Sequence, residues 1–411
     1  MRALFCVLLL SASATCQEWT RFRGPNGTGV SEAKTIPVKW SAEEVNWKVE
    51  LPGIGHSSPV IWGDRLFIQS ADPTNATQHI LCYNAMNGRK IWQRDFPLDT
   101  YRIHARSSFA SVTPAVDANQ VYVAWSSDKQ TTFSALNHQG EPVWQKELGS
   151  FSSSHGFGTS PVVYNDLVII GHSQKKPQRN GPATETSSVV AVDRETGEIR
   201  WRTKRMSEKA SYSTPAILRR DGHPDELINC STAEGIYSLD PTTGKQNWAK
   251  SVFSMRTVSS PVISGDFIFG STGSGGGGNY VVALRAGANP EVAYEVRRQA
   301  PYVPCTLCYK DIAILWSDKG IVTCVDLETG QKHWQQRIGG SFSSSPVVAG
   351  GNVYCVSDEG TVVVLAARKK FQLLAENKLG QPSRSTPAIA NGQMYIRTYS
   401  HLFAVGSVKS I

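Results

Sequence analysis

Long apolar runs are almost missing from this chain of 411 residues. Beyond Ala3 to Leu10 no segment approaches the roughly 20 apolar residues of a membrane-crossing helix, so no transmembrane segment is expected. Charged residues are sparse at 18%, and the 42 basic ones are spread over the whole length instead of forming a stripe. The net charge of +8 therefore favours anionic surfaces in general without marking a nucleic-acid site. No two cysteines are adjacent, and Cys305-x-x-Cys308 has no second pair at ligand spacing, which argues against zinc and redox motifs. Serines are plentiful, as in Ser152-Ser-Ser-His155, but no nucleophile-elbow glycine pattern accompanies them, and a hydrolase triad is not expected. The glycine run from Thr272 to Asn279 is followed by neither Lys-Ser/Thr nor a helical pattern, so it reads as a flexible loop and not a phosphate cradle. Asp221-Gly-His223-Pro-Asp225-Glu226 gathers turn formers, which fits a solvated hairpin better than a metal site. These absences leave no catalytic residue and no metal ligand to nominate.

What the chain does have is a repeat. Eight opening steps recur at Ser58-Pro59, Thr113-Pro114, Ser160-Pro161, Thr214-Pro215, Ser260-Pro261, Cys305-Thr306, Ser345-Pro346 and Thr386-Pro387. The sixth is degenerate, and its register comes from the turn that follows. Asp311 stands five residues beyond Thr306, as Asp64, Asn119, Asp166 and Asp266 stand beyond their prolines, so Thr306 takes the proline position. A closing phrase Asp-x-x-Thr-Gly-x-x-x-Trp is clear at Asp193 to Trp201, Asp240 to Trp248 and Asp326 to Trp334. Looser copies end at Trp92 and Trp144, while Tyr294 and Leu374 replace the tryptophan in the fifth and seventh units.

Length alone suggests two or three domains, but repeats spaced by roughly 40 to 55 residues belong to a propeller or solenoid. Within each unit short β-patterned runs break at Gly, Asp and Asn, as in Pro161-Val-Val-Tyr, Leu167-Val-Ile-Ile, Val189-Val-Ala-Val and Glu198-Ile-Arg-Trp. Each unit is therefore a four-stranded meander, strands A to D. Its Thr-Gly places a residue free to take positive φ at the last hairpin. Trp47, Trp92, Trp144, Trp201, Trp248 and Trp334 are apolar plates suited to docking against the next unit. The eighth unit stops after three strands, near Val405, while an orphan closing strand appears at Val45 to Leu51. The expected fold is all-β: an eight-bladed β-propeller of four-stranded antiparallel blades, closed by an N-terminal strand near Trp47 pairing with the last blade. A ring, unlike a solenoid, needs no caps.

Residues 1–16 read as a secretory signal, with Arg2, an apolar run and small residues before cleavage after Ala14 or Cys16. Ser13-Ala14-Thr15-Cys16 lacks the apolar residue usual at a lipid-anchor site. Residues 17–37 form a leader and 38–411 a single propeller domain, exported to the periplasm or extracellular space and expected to be monomeric. Six cysteines remain after the signal, in a compartment that permits disulfides. Cys82 and Cys324 occupy small core positions of the repeat.

In such a meander the segments before strand A ring one mouth of the channel. They carry His56, Arg102, His104, Arg106, His155, Tyr212, Arg256, Tyr302 and Arg384, with Phe342 beside them and Glu208 as the nearby acid. Loops Gln174 to Ser187 and Thr272 to Asn279 overhang the same face. A basic, partly aromatic mouth suits an anionic ligand or an acidic segment of a partner, because arginine offers planar donor pairs to carboxylates.

On its Asp-x-x-Thr-Gly-x-x-x-Trp copies, and on the leader Trp19-Thr-Arg-Phe22-Arg23-Gly24-Pro25-Asn26-Gly27-Thr-Gly29-Val-Ser31, the chain resembles the pyrroloquinoline-quinone (PQQ)-repeat β-propellers over nearly its whole mature length. The signature residues build joints between blades, so the resemblance implies a fold before it implies a cofactor. It is similar in fold and repeat to the propellers of outer-membrane protein assembly, which implies a non-catalytic scaffold for an envelope or secreted protein, or for a small anionic ligand. The alternative it implies is a quinoprotein dehydrogenase holding PQQ and calcium in the channel, with an Asp accepting the substrate proton. Alcohol-oxidising members carry adjacent cysteines, which this chain does not have, and its strand-A entry loops offer almost no carboxylate, so calcium would depend on carboxylates in B to C loops such as Asp72, Asp318 and Asp358. No cofactor is expected on the leading reading. A polysaccharide-binding module would need exposed tryptophans, most of which are assigned to joints.

Overall fold

Strands form where apolar and polar residues alternate. The computed structural model describes residues 18–41, 44–178, 180 and 184–406, and the signal segment 1–16 lies outside the described residues. Eight four-stranded antiparallel sheets make up the ring, seven of them continuous in sequence. Blade 3 shows the pattern: Val162–Tyr164, Leu167–His172, Thr184–Asp193 and Ile199–Ser207 pair in order. Its second strand is buried almost throughout because neighbouring blades cover both faces, whereas the outer strand buries roughly alternate residues. In the eighth sheet Trp47–Glu50 pairs antiparallel with His401–Gly406, so the orphan strand latches the ring.

The closing phrase explains the outer joints. Asp193 Oδ1 accepts the amides of Glu195 and Thr196, both at 3.0 Å, and Gly197 follows at φ +72°. The same turn recurs at Asp240 with Gly244 and at Asp326 with Gly330. These glycines have a second duty: a Cβ on Gly197 would lie 2.6 Å from the ring of Trp144 in the preceding blade. Trp47 on Gly88, Trp92 on Gly140, Trp201 on Gly244 and Tyr294 on Gly330 repeat the contact. The rings also donate to the neighbour's backbone, Trp144 Nε1 to Arg194 O at 2.8 Å and Tyr294 Oη to Leu327 O at 2.7 Å. Trp334 donates to Arg368 O and packs on Phe371. Trp248 differs, since blade 5 has no Thr-Gly turn: its ring packs among Ile268, Val282 and Leu284, while Nε1 turns to Glu226 Oε2 of its own blade at 2.6 Å.

The opening steps form a second, inner set of joints. The amide of Ser58 donates to Thr113 Oγ1 of the next blade, Thr113 to Ser160, Ser160 to Thr214 and Thr214 to Ser260. The chain continues from Ser260 to Cys305 Sγ at 3.3 Å, Cys305 to Ser345, Ser345 to Thr386, and Thr386 back to Ser58 at 3.0 Å. Eight bonds thus close a circle, and Cys305 fills the one place without a hydroxyl. This places Thr306 at the proline position, as the turn register predicts.

The leader runs directly beneath this circle, along the free inner edges of the A strands. Trp19 pairs with Ile61, the amide of Val116 donates to Thr20 O, Asn26 exchanges two bonds with Ile217, and Val30 pairs with Val348. Arg21 donates to Pro215 O, and Arg23 to Gly27 O, Thr306 O and Pro346 O. Contacts with blades 1, 2, 4, 6 and 7 mean that the segment crosses the channel and plugs it. Burial lowers the Arg21 guanidinium to about 9, still charged at neutrality, and the Pro215 carbonyl oxygen is its partner.

Thr113→Val, which removes the acceptor for the Ser58 amide at nearly constant shape, is expected to cost about 1–3 kcal/mol in denaturant unfolding. Cys305→Ser is expected to be neutral or stabilising, because a hydroxyl accepts better than a thiol. An unchanged unfolding midpoint for Thr113→Val would show that the circle contributes nothing.

Candidate functional site

Above the plug the channel widens into a cup of about 630 Å³, open at the mouth that the strand-A loops surround. Eight of the nine mouth residues expected from the sequence line it: His56, His104, Arg106, His155, Tyr212, Arg256, Tyr302 and Arg384. Arg102 does not; its side chain is exposed outside the cup, while its neighbour Ile103 turns towards Gly156. Phe342 packs on Trp316 in the core. Lys209, Phe22 of the leader, and Gly273, Ser274 and Gly275 of the glycine-rich loop complete the wall. Phe22 was not legible as a site residue, because only the threading of the leader brings it to the floor.

Three side chains from three loops meet across the mouth. The His104 and His155 rings lie 4.6 Å apart, and Arg256 Nη1 sits 3.2 Å from both ring nitrogens of His155. Tyr212 stands beside them and shares a 2.6 Å hydrogen bond with Ser153. Burial, with Arg256 and His104 adding to it, pushes His155 down to about 4, so it meets Arg256 as a neutral ring. His56 falls further, to about 3, through burial and the charges of Arg397 and Arg384.

The carboxylates near the mouth are spent on the loops themselves. Asp318 Oδ2 and Oδ1 accept the amides of Tyr302 at 2.7 Å and Val303 at 3.1 Å. Asp358 Oδ2 takes Ser343 at 3.2 Å and Arg384 Nε at 3.3 Å. Asp72 is half-buried and caps its own turn through Thr74. Glu208 pairs with Lys176 at 2.8 Å. The lining therefore contains Arg106, Lys209, Arg256 and Arg384 but neither Asp nor Glu. Its Ser and Thr hydroxyls at the opening steps are already acceptors in the inner circle. The Asp221 hairpin borders a separate polar cavity, where Arg219 and Arg220 pair with Asp225 and Glu226. Among the described residues no group of three His, Cys, Asp or Glu is placed to hold a metal. Cys305 and Cys308 are both buried free thiols, as are Cys82 and Cys324.

The PQQ_2 family model, described as "Outer membrane protein assembly factor BamB", matches residues 76–300 and 312–407. Outer membrane protein assembly factor BamB of Moranella endobia is 26% identical over 289 residues, which are 62% of this chain and 66% of that protein. The matches to the first two curated relatives span 66% and 50% of their lengths, less than two thirds in each case. Among solved structures, BamB from Moraxella catarrhalis superposes with a TM-score of 0.64 at 14% identity, covering 88% of this chain and 98% of that one. Quinohemoprotein alcohol dehydrogenase from Comamonas testosteroni superposes with a TM-score of 0.67 at 13% identity, covering 96% and 81%. These two likenesses establish the fold alone.

The quinoprotein likeness raises the question of a quinone held with calcium. Calcium takes about six to eight oxygen ligands, commonly several carboxylates. The lining supplies no carboxylate and presents cations, so the residues present do not fit the ion.

Neutral histidines make the site acid-sensitive. Their folded-state values lie below the ordinary 6.5, so the unfolded chain binds more protons between the two values. Stability present above that ordinary value is then lost as pH falls towards about 4 for His155 and about 3 for His56. The thermal midpoint is expected to drop between about pH 7 and about pH 4.5, and less steeply in His56→Gln with His155→Gln. Equal slopes in the variant and the parent protein would contradict this.

Proposed function

The chain belongs to the PQQ-repeat propeller family of the outer membrane protein assembly factor BamB model, and from that premise we propose that it is a non-catalytic scaffold of the cell envelope that receives an anionic ligand or segment in its cup. The observation that carries this reading is a blind cup whose charged lining residues are all basic. A hydrolase or dehydrogenase needs a placed base or nucleophile. In this lining the hydroxyls at the opening steps serve the inner circle, and His155 is engaged with Arg256. A polysaccharide module is less well supported, since all eleven tryptophans are buried or half-buried and leave no exposed platform for a sugar ring. Export to the periplasm and a partner from the outer-membrane assembly machinery come with the same proposal.

The test is crosslinking in cells followed by purification of the full-length protein. A β-barrel assembly component of the outer membrane is expected to co-purify in near-stoichiometric amount. In parallel, the protein incubated with pyrroloquinoline quinone and calcium is expected to show no bound-quinone spectrum. A stoichiometric spectrum with dye-linked oxidation of an alcohol or sugar would overturn the scaffold reading.

A further inference from the structure

The cations of the cup are not equivalent. Arg384 is paired with Asp358 at 3.3 Å, and the charge of Arg106 favours the ionised form of the Asp318 carboxylate. Arg256 has no carboxylate: its Nη1 points at a neutral imidazole, Tyr302 is its other side-chain partner, and its Nε is buried without a hydrogen-bond partner. A guanidinium offers a planar fork of donors suited to two oxygens of one anion, and a neutral histidine satisfies that fork poorly. Arg256 is also firmly placed, because its backbone pairs with Gly273 and carries the glycine-rich loop to the rim beside it.

The plug restricts the shape of what can reach this fork. With the leader crossing the channel, a polypeptide cannot thread through, and a ligand enters and leaves by one mouth. A volume of about 630 Å³ is that of a site for a drug-sized molecule, so a few residues of chain fit and a folded domain does not. Phe22, Phe157, Val258 and Val303 give the cup apolar surface.

We propose that the cup captures the end of a polypeptide chain, with the free α-carboxylate on Arg256 in place of His155 and an apolar last residue against Phe22 and Phe157. This rests on the binding-scaffold reading and names the part of the partner that the cup takes. The carboxylate supplies the charge that the lining does not contain, with Tyr302 against the fork and Lys209 elsewhere in the same lining.

The test is calorimetric titration of the full-length protein with the tetrapeptide Ala-Ser-Val-Leu, its C-terminal amide and N-acetyl-leucine. The free acid is expected to bind, with a loss of about tenfold or more for the amide and for Arg256→Gln, the range for losing a charge-assisted bond. His155→Ala, which removes the competing ring, is expected to tighten binding and keeps the test open if Arg256→Gln fails to fold. Equal binding of acid and amide would overturn the proposal, and so would unchanged affinity in both variants. N-acetyl-leucine binding as well as the tetrapeptide would overturn it in favour of a small carboxylate. Absence of peptide binding alongside retained capture of an assembly partner defeats the chain-end inference and leaves the scaffold reading standing. Peptide binding without any such partner does the reverse.

Discussion

The circle of eight amide-to-side-chain bonds at the opening steps is the joint on which the rest of the molecule depends. The innermost strand of a blade has no neighbour on its channel side, and its buried amides must still find acceptors. A side chain from the following blade supplies one at each step, a hydroxyl at seven and the Cys305 thiol at the eighth, which ties every blade to the next at the narrowest radius of the ring. The proline after it needs no acceptor, so the pair Ser/Thr-Pro leaves a single donor to satisfy. A circle of this kind works only when it closes, and the strand at Trp47 closes it by completing the eighth sheet.

Where the circle ends, the leader begins. Its backbone and its two buried arginines bond to inner-edge groups of five blades, and in doing so they turn a channel into a cup. The chemistry of the cup follows from what these joints consume. Opening-step hydroxyls are used as acceptors and nearby carboxylates hold their own loops, so charge left for a ligand is positive. The outer joints, aromatic ring on turn glycine, hold the blades at a larger radius and leave the mouth untouched.

Much of the fold was legible because its determinants are short-range. Asp193 to Gly197 makes its turn from its own side chain and its own positive φ, and such a phrase can be recognised wherever it recurs. The mouth residues were legible for the same reason: each follows from its offset to an opening step, and eight of nine arrive in the cup. Arg102 misses because an offset does not say which way a loop turns its side chain. Phe22 and the role of Arg23 were hidden, since their partners stand hundreds of residues away, Arg23 bonding to Thr306 and Pro346.

By itself the sequence determined the number of blades, the strand that closes them, and the residue types that face the mouth, because these follow from a local pattern repeated at a fixed period. Only the tertiary structure decided that the amides form one closed circle, that the leader plugs the channel, and that Arg256 meets a neutral histidine while Arg384 meets an acid. Those outcomes depend on which blades stand opposite one another once the ring has closed, and no single repeat carries that distance.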